Sequence, residues 1–144
     1  SNPTSCAEAT PSDLLAWSDG RAIVATGSPF DAVSVAGAPR AISQANNVYV
    51  FPGVGLAAIA GRLETIPDEA FVAAAAALAG LAPRGGSALY PALADLRVAS
   101  RTIAMAVLRA GAEQGWGPAL DPERIAELVD TAMWSPAYRP YAPA

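Results

Sequence analysis

The chain has 144 residues, 53% of them apolar and 15% charged, with a formal net charge of −4. That length suits one domain with a buried core, and the acidic balance leaves no basic field to gather the phosphates of a nucleic acid. Histidine is absent and no apolar run reaches bilayer-spanning length, which removes the usual general base near neutral pH, the usual imidazole metal ligand and a transmembrane helix.

Ser1-Asn2-Pro3-Thr4 carries neither a starting methionine nor the basic flank and apolar stretch of a signal peptide, so the sequence is expected to be a segment of a longer protein. Cys6 stands alone, which rules out an internal disulfide and fits a reducing, cytoplasmic compartment. Thr10-Pro11-Ser12-Asp13 has a helix-start pattern: a hydroxyl cap, proline at the first helical position and a carboxylate three residues after the cap. Leu14, Leu15 and Trp17 supply its apolar face, and Gly20 ends it. Arg21 to Thr26 is short and β-branched, a predicted buried strand stopped by Gly27-Ser28-Pro29. Between Asp31 and Ile42 the weak alternation of Val33 and Val35, with Gly37 and Pro39 at the bend, predicts an irregular hairpin or loop.

Pro52 through Arg62 reads as a helix, in which Gly53 and Gly55 allow close approach of a ligand or of another element. Pro67-Asp68-Glu69 opens the next helix with acid in its first turn, matching the macrodipole, and Gly80 is its expected stop. Arg84-Gly85-Gly86-Ser87 reads as a flexible connector, after which Tyr90-Pro91 leads into the longest helical pattern. There Leu93, Leu96, Ser100, Ile103, Val107 and Ala110 recur at steps of three and four, predicting one buried stripe that runs to Gly111 or Gly115. Asp121-Pro122-Glu123 caps the last helix, with Ile125, Leu128, Val129 and Ala132 inward, before a proline-rich tail around Tyr138 and Arg139. The fold class is α/β, with an α/β portion over residues 1–62 and a helical portion over 63–144.

Chemistry concentrates at Asn46-Asn47, within Gln44-Ala45-Asn46-Asn47-Val48-Tyr49-Val50-Phe51-Pro52-Gly53. Two carboxamides ahead of a Pro-Gly helix start put neutral donors and acceptors where a helix N-terminus favours an anion. Taken alone, the pair reads more readily as a helix cap and turn than as a ligand contact, since asparagine is favoured at both. Gly53-Val54-Gly55 is only G-x-G and fits close helix packing better than a phosphate loop. No Ser-His-Asp set is possible, and no cysteine or carboxylate cluster predicts a metal site. The aromatics Trp17, Tyr49, Phe51 and Trp134 are expected in the core or at a subunit contact, and Tyr138 and Arg139 at an interface.

Three stretches in this order, Ser1-Asn2-Pro3-Thr4, Gly20 to Phe30 and Gln44 to Leu56, closely resemble the C-terminal part of the malic enzymes. The resemblance continues through Leu89-Tyr90-Pro91 to Trp134-Ser135-Pro136-Ala137-Tyr138-Arg139 and so covers essentially the whole chain. It implies the distal half of a NAD(P)-binding Rossmann-type domain followed by a mainly helical C-terminal region. Such enzymes oxidise L-malate with NAD or NADP and decarboxylate bound oxaloacetate to pyruvate and CO2, assisted by Mg²⁺ or Mn²⁺. By the same resemblance Asn2 lies beside nicotinamide and substrate, Asn46 and Asn47 bind malate oxygens, and Asn47 also helps place the nicotinamide. The catalytic acid and base, the metal ligands and the glycine fingerprint would lie outside this segment, which alone should be inactive. The implied partners are L-malate or pyruvate and further copies of the enzyme as a homo-oligomer, without nucleic acid or membrane. Rival readings are a malolactic enzyme, which releases lactate, and a non-catalytic helical interaction module.

Overall fold

The Thr10 hydroxyl and the Asp13 carboxylate start the first helix as the sequence predicts. In the computed structural model, which describes residues 4–138, α1 (Pro11–Trp17) opens on a reciprocal capping box. The Asp13 N–H donates to Thr10 Oγ1 at 3.2 Å, and the Thr10 N–H and hydroxyl donate to Asp13 Oδ2 at 3.1 and 2.6 Å. The Thr10 hydroxyl first, and its N–H second, hold the Asp13 carboxyl below its ordinary pKa. A depressed carboxylate pKa means that this cap is intact above the ordinary range and is lost as pH falls through it. The protection of amides in the first turn of α1 against exchange, relative to an unstructured peptide at the same pH, is therefore expected to fall below about pH 4, and Asp13→Asn should abolish that pH dependence. Leu15 is the buried member of the predicted apolar face, whereas Trp17 is exposed.

The strand expected over Arg21 to Thr26 is paired only at its end, as β1 (Ala25–Thr26), and Ile23 is 77% exposed. Alternating burial along 21–26 shows that the backbone is extended, but a strand needs a partner, and within the described residues only Ala25 and Thr26 meet one. The predicted hairpin forms from β2 (Val33–Val35) and β3 (Ala38–Arg40), antiparallel, with Val35 opposite Ala38. Its two-residue turn is Ala36-Gly37, at φ 50° and 81°, the left-handed pair that matches strand twist. Pro39 lies within β3, an edge position where its missing N–H costs nothing. Finally β4 (Ser43–Gln44) pairs parallel to β1, Ala25 against Ser43 and Thr26 against Gln44.

Four helices complete the fold: α2 (Phe51–Gly61), α3 (Asp68–Gly80), α4 (Leu96–Gln114) and α5 (Pro122–Ala132). Helix α4 is the hub. Of the predicted stripe, Ile103, Val107 and Ala110 are buried and Leu96 and Ser100 half-buried; Ala99, Ala104 and Leu108, which the stripe left out, are buried as well and widen the face, and the helix is capped by Gly115. Leu93 departs from that stripe: it precedes the helix in a 3-10 turn and is 56% exposed. Helix α3 offers Ala70, Ala74 and Leu78 to the core, an alanine stripe whose short side chains permit a close approach. Ile125 and Val129 of α5 join the same cluster. Outside it, Arg101 of α4 and Asp130 of α5 form a bidentate pair at 2.6 and 2.7 Å that lowers the Asp130 pKa.

Gly53 sets the distance between α2 and α4. A Cβ placed on it would lie 2.6 Å from Ile103 Cγ2 and 3.0 Å from the Ser100 carbonyl oxygen, so the backbone of α2 rests directly on α4. Gly55 has open space in the same direction, which assigns the close packing to the first glycine of the pair alone.

Candidate functional site

The two parallel strands bring their carboxyl ends together beside the asparagine pair. Beyond the register proper the Ala45 N–H donates to the Thr26 carbonyl at 2.8 Å, and Gln44 Nε2 reaches the Gly27 carbonyl at 3.2 Å. Thr26 Oγ1 donates to the Ser28 carbonyl at 2.8 Å and closes the turn after β1. In open α/β sheets this crevice outside the strand ends is where ligands bind.

Asn46 is extended, at φ −119° and ψ 141°, and its Oδ1 accepts the Val48 N–H at 2.9 Å, capping a 3-10 turn over Asn47–Tyr49. Asn47, the first residue of that turn, makes no side-chain hydrogen bond within the described residues, and both asparagines are exposed. The adjacent carboxamides therefore differ: one oxygen is spent on local structure, while the neighbouring amide keeps both of its donors and its acceptor free. Val50 then leads into α2, whose N-terminus has no side-chain cap.

Tyr49 closes the turn from behind. It is 5% exposed, its hydroxyl donates to the Pro91 carbonyl at 2.8 Å, and its ring stacks on Tyr90 with centroids 5.3 Å apart and planes 20° from parallel. Burial first, and Tyr90 second, raise its phenol pKa above the ordinary value. Ser87 Oγ donates to the Ala41 carbonyl at 3.1 Å, and the Leu89 N–H donates to Ser43 Oγ at 2.7 Å. Residues 87–91, whose leading part reads as a flexible connector, are thus laced to residues 41–49 by three side-chain hydrogen bonds. Spacing alone marks Tyr49 as a core aromatic; its hydroxyl contact, 42 residues away in sequence, carries no local signal.

Two cavities flank the turn. One, of about 320 Å³, is largely apolar and includes Val48, Pro52, Leu56, Leu96 and Trp134; the other, of about 270 Å³, includes Phe30, Gln44, Tyr49 and Tyr90. Neither asparagine lines them. Asn2 and Arg139 lie outside the described residues. Trp17, Phe51 and Trp134 are more than half exposed and so are not core residues, while Tyr49 is. Among the described residues no three His, Cys, Asp or Glu side chains gather as a metal site, and no helix is long and apolar enough to cross a membrane.

Comparison with known proteins places this arrangement. A family profile described as "Malic enzyme, NAD binding domain" matches residues 1–112. The NAD-dependent malic enzyme of Vibrio parahaemolyticus is 42% identical over 98% of this chain, and the enzyme of the same description from Pseudomonas aeruginosa strain UCBPP-PA14 is 44% identical over the same share. The Sodalis glossinidius protein, also described as a NAD-dependent malic enzyme, is likewise 44% identical over 98% of the chain. In each case the match covers 26% of the relative, so the chain spans about a quarter of their length. With a profile match over most of its residues, the parallel β1–β4 pair and the helices within residues 1–112 are a piece of a Rossmann-type NAD-binding domain, and the chain belongs to the malic enzyme family.

Proposed function

We propose that the polypeptide containing this segment oxidises L-malate to pyruvate and CO2, with NAD rather than NADP as the oxidant, and that Asn47 supplies a neutral contact to substrate and nicotinamide. The observation that carries the reading is the Asn47 carboxamide, without a hydrogen-bond partner among the described residues, at the carboxyl ends of two parallel strands and beside a helix N-terminus with no side-chain cap. The NAD-dependent descriptions of the relatives favour that cofactor. Bound NAD supplies the hydride acceptor. The protein's own part is to orient the reacting carbon: an amide donates to a malate oxygen and to the nicotinamide without adding a charge that would alter the hydride-transfer barrier. Asn46 keeps one lone pair and two N–H donors for the same ligand while it caps the turn. Asn2 is proposed beside the same ring, as the family motif implies. A divalent cation, Mg²⁺ or Mn²⁺, would be held by residues other than those described here. The remaining catalytic groups come from other parts of the polypeptide, in an enzyme proposed to be cytoplasmic and homo-oligomeric.

The test is the full-length polypeptide with L-malate, NAD and Mn²⁺, following reduced nicotinamide by absorbance and the organic acid by chromatography. Pyruvate formed in step with NADH is the expected result. Lactate without net NADH would replace the reading with a malolactic one, and no turnover with malate would remove it.

A further inference from the structure

We infer that Tyr49 is a positioning residue for malate turnover, acting through Asn47 without touching the substrate; the inference rests on the ligand role proposed for Asn47. The turn that carries Asn47 is only three residues long and is closed by two backbone bonds, Tyr49 N–H to the Asn46 carbonyl at 3.1 Å and Val50 N–H to the Asn47 carbonyl at 3.0 Å. A single 3-10 turn has poor hydrogen-bond geometry and does not hold its own orientation. Three attachments hold this one. In front, Ala45 is tied to β1; inside, Asn46 caps; behind, Tyr49 reaches across to the Pro91 carbonyl just before α4.

The last attachment is the one that reaches across to the stretch before α4, because Tyr49 is the buried side chain of the turn and stacks on Tyr90 in the same stretch. Loss of the hydroxyl leaves the Pro91 carbonyl buried without its donor and loosens the turn on that side. Asn47 sits two residues away, on the exposed side, so a small rotation is delivered to its carboxamide. Reaction geometry is sensitive to displacements well below an ångström, so the cost falls on turnover as well as on stability.

The experiment is a double-mutant cycle in the full-length enzyme with Tyr49→Phe and Asn47→Ala, measuring kcat/KM for malate and the unfolding midpoint of each form. Tyr49→Phe keeps the stacked ring and is expected to lower kcat/KM about tenfold in the native background and to have little further effect once Asn47 is alanine. A merely structural role would lower the unfolding midpoint in both backgrounds while leaving kcat/KM uncoupled. Tyr90→Leu, which keeps the Tyr49 hydroxyl and removes the surface its ring stacks on, is the second variant and should show the same coupling to Asn47. An unchanged kcat/KM in Tyr49→Phe, or an equal drop in both backgrounds, overturns the inference while leaving Asn47 as a ligand contact. If Asn47→Ala itself leaves kcat/KM unchanged, the underlying ligand reading has failed, and the inference with it.

Discussion

Asn47→Ala in the full-length enzyme is expected to lower kcat/KM for malate about a hundredfold or more, the loss typical of removing one oriented donor from a developing charge. The unfolding midpoint should stay close to that of the parent, because the Asn47 side chain makes no hydrogen bond within the described residues and is exposed. Asn46→Ala should behave differently. Its Oδ1 caps the turn, so its loss should destabilise the protein by about 1 kcal/mol and disturb turnover at the same time. The contrast between the two variants is the informative result: a clean kinetic defect at Asn47 and a mixed defect at Asn46. Asn47→Asp should be worse than alanine for turnover, since a carboxylate replaces a neutral donor beside an anionic substrate. Steady-state kinetics with varied malate, paired with thermal unfolding, decides the matter. An unchanged kcat/KM in Asn47→Ala would withdraw the proposed site.

The division of labour within Asn46-Asn47 shows where reading the sequence stops. Cap and ligand contact are rival readings of one dipeptide, because asparagine chemistry suits both. Only the turn geometry assigns the cap to the first residue and leaves the second unengaged. The same boundary runs through the fold. Helix starts at Thr10, Pro67 and Asp121, and the centre of the α4 stripe at Ile103, Val107 and Ala110, depend on residues within a turn or two of one another and were legible. The extent of the strand over Arg21 to Thr26 was not, because pairing is set by residues distant in sequence, and here only the last two residues find β4. Tyr49 was legible as a core aromatic but not as an anchor, since its acceptor, Pro91, is reached only through the tertiary fold.

Gly53→Val is expected to disrupt folding strongly, and its effect follows from geometry together with helix propensity. Alanine in place of glycine gains about 1 kcal/mol of propensity within a helix. At Gly53 that gain is outweighed, because the added carbon would stand 2.6 Å from Ile103 Cγ2 and 2.7 Å from its Cβ, and Ile103 is fully buried. The branched side chain cannot swing aside, and the Ser100 carbonyl at 3.0 Å limits sliding along α4. Relief must come from separating α2 and α4, which loosens the core around Val54, Ala57, Ile103 and Val107. Overpacking of this kind costs about 1–3 kcal/mol, with valine at or above the upper end and alanine lower. Ile103→Ala, which by itself leaves a cavity worth about 2–5 kcal/mol, should partly accommodate the new side chain. The double variant Gly53→Val with Ile103→Ala is therefore expected to be more stable than the sum of the single effects, by about 1 kcal/mol or more. Denaturant unfolding of the four forms measures that coupling, and strict additivity would show that Gly53 does not rest on Ile103. Because α2 begins directly after the asparagine turn, Gly53→Val should also lower malate turnover in whatever fraction remains folded.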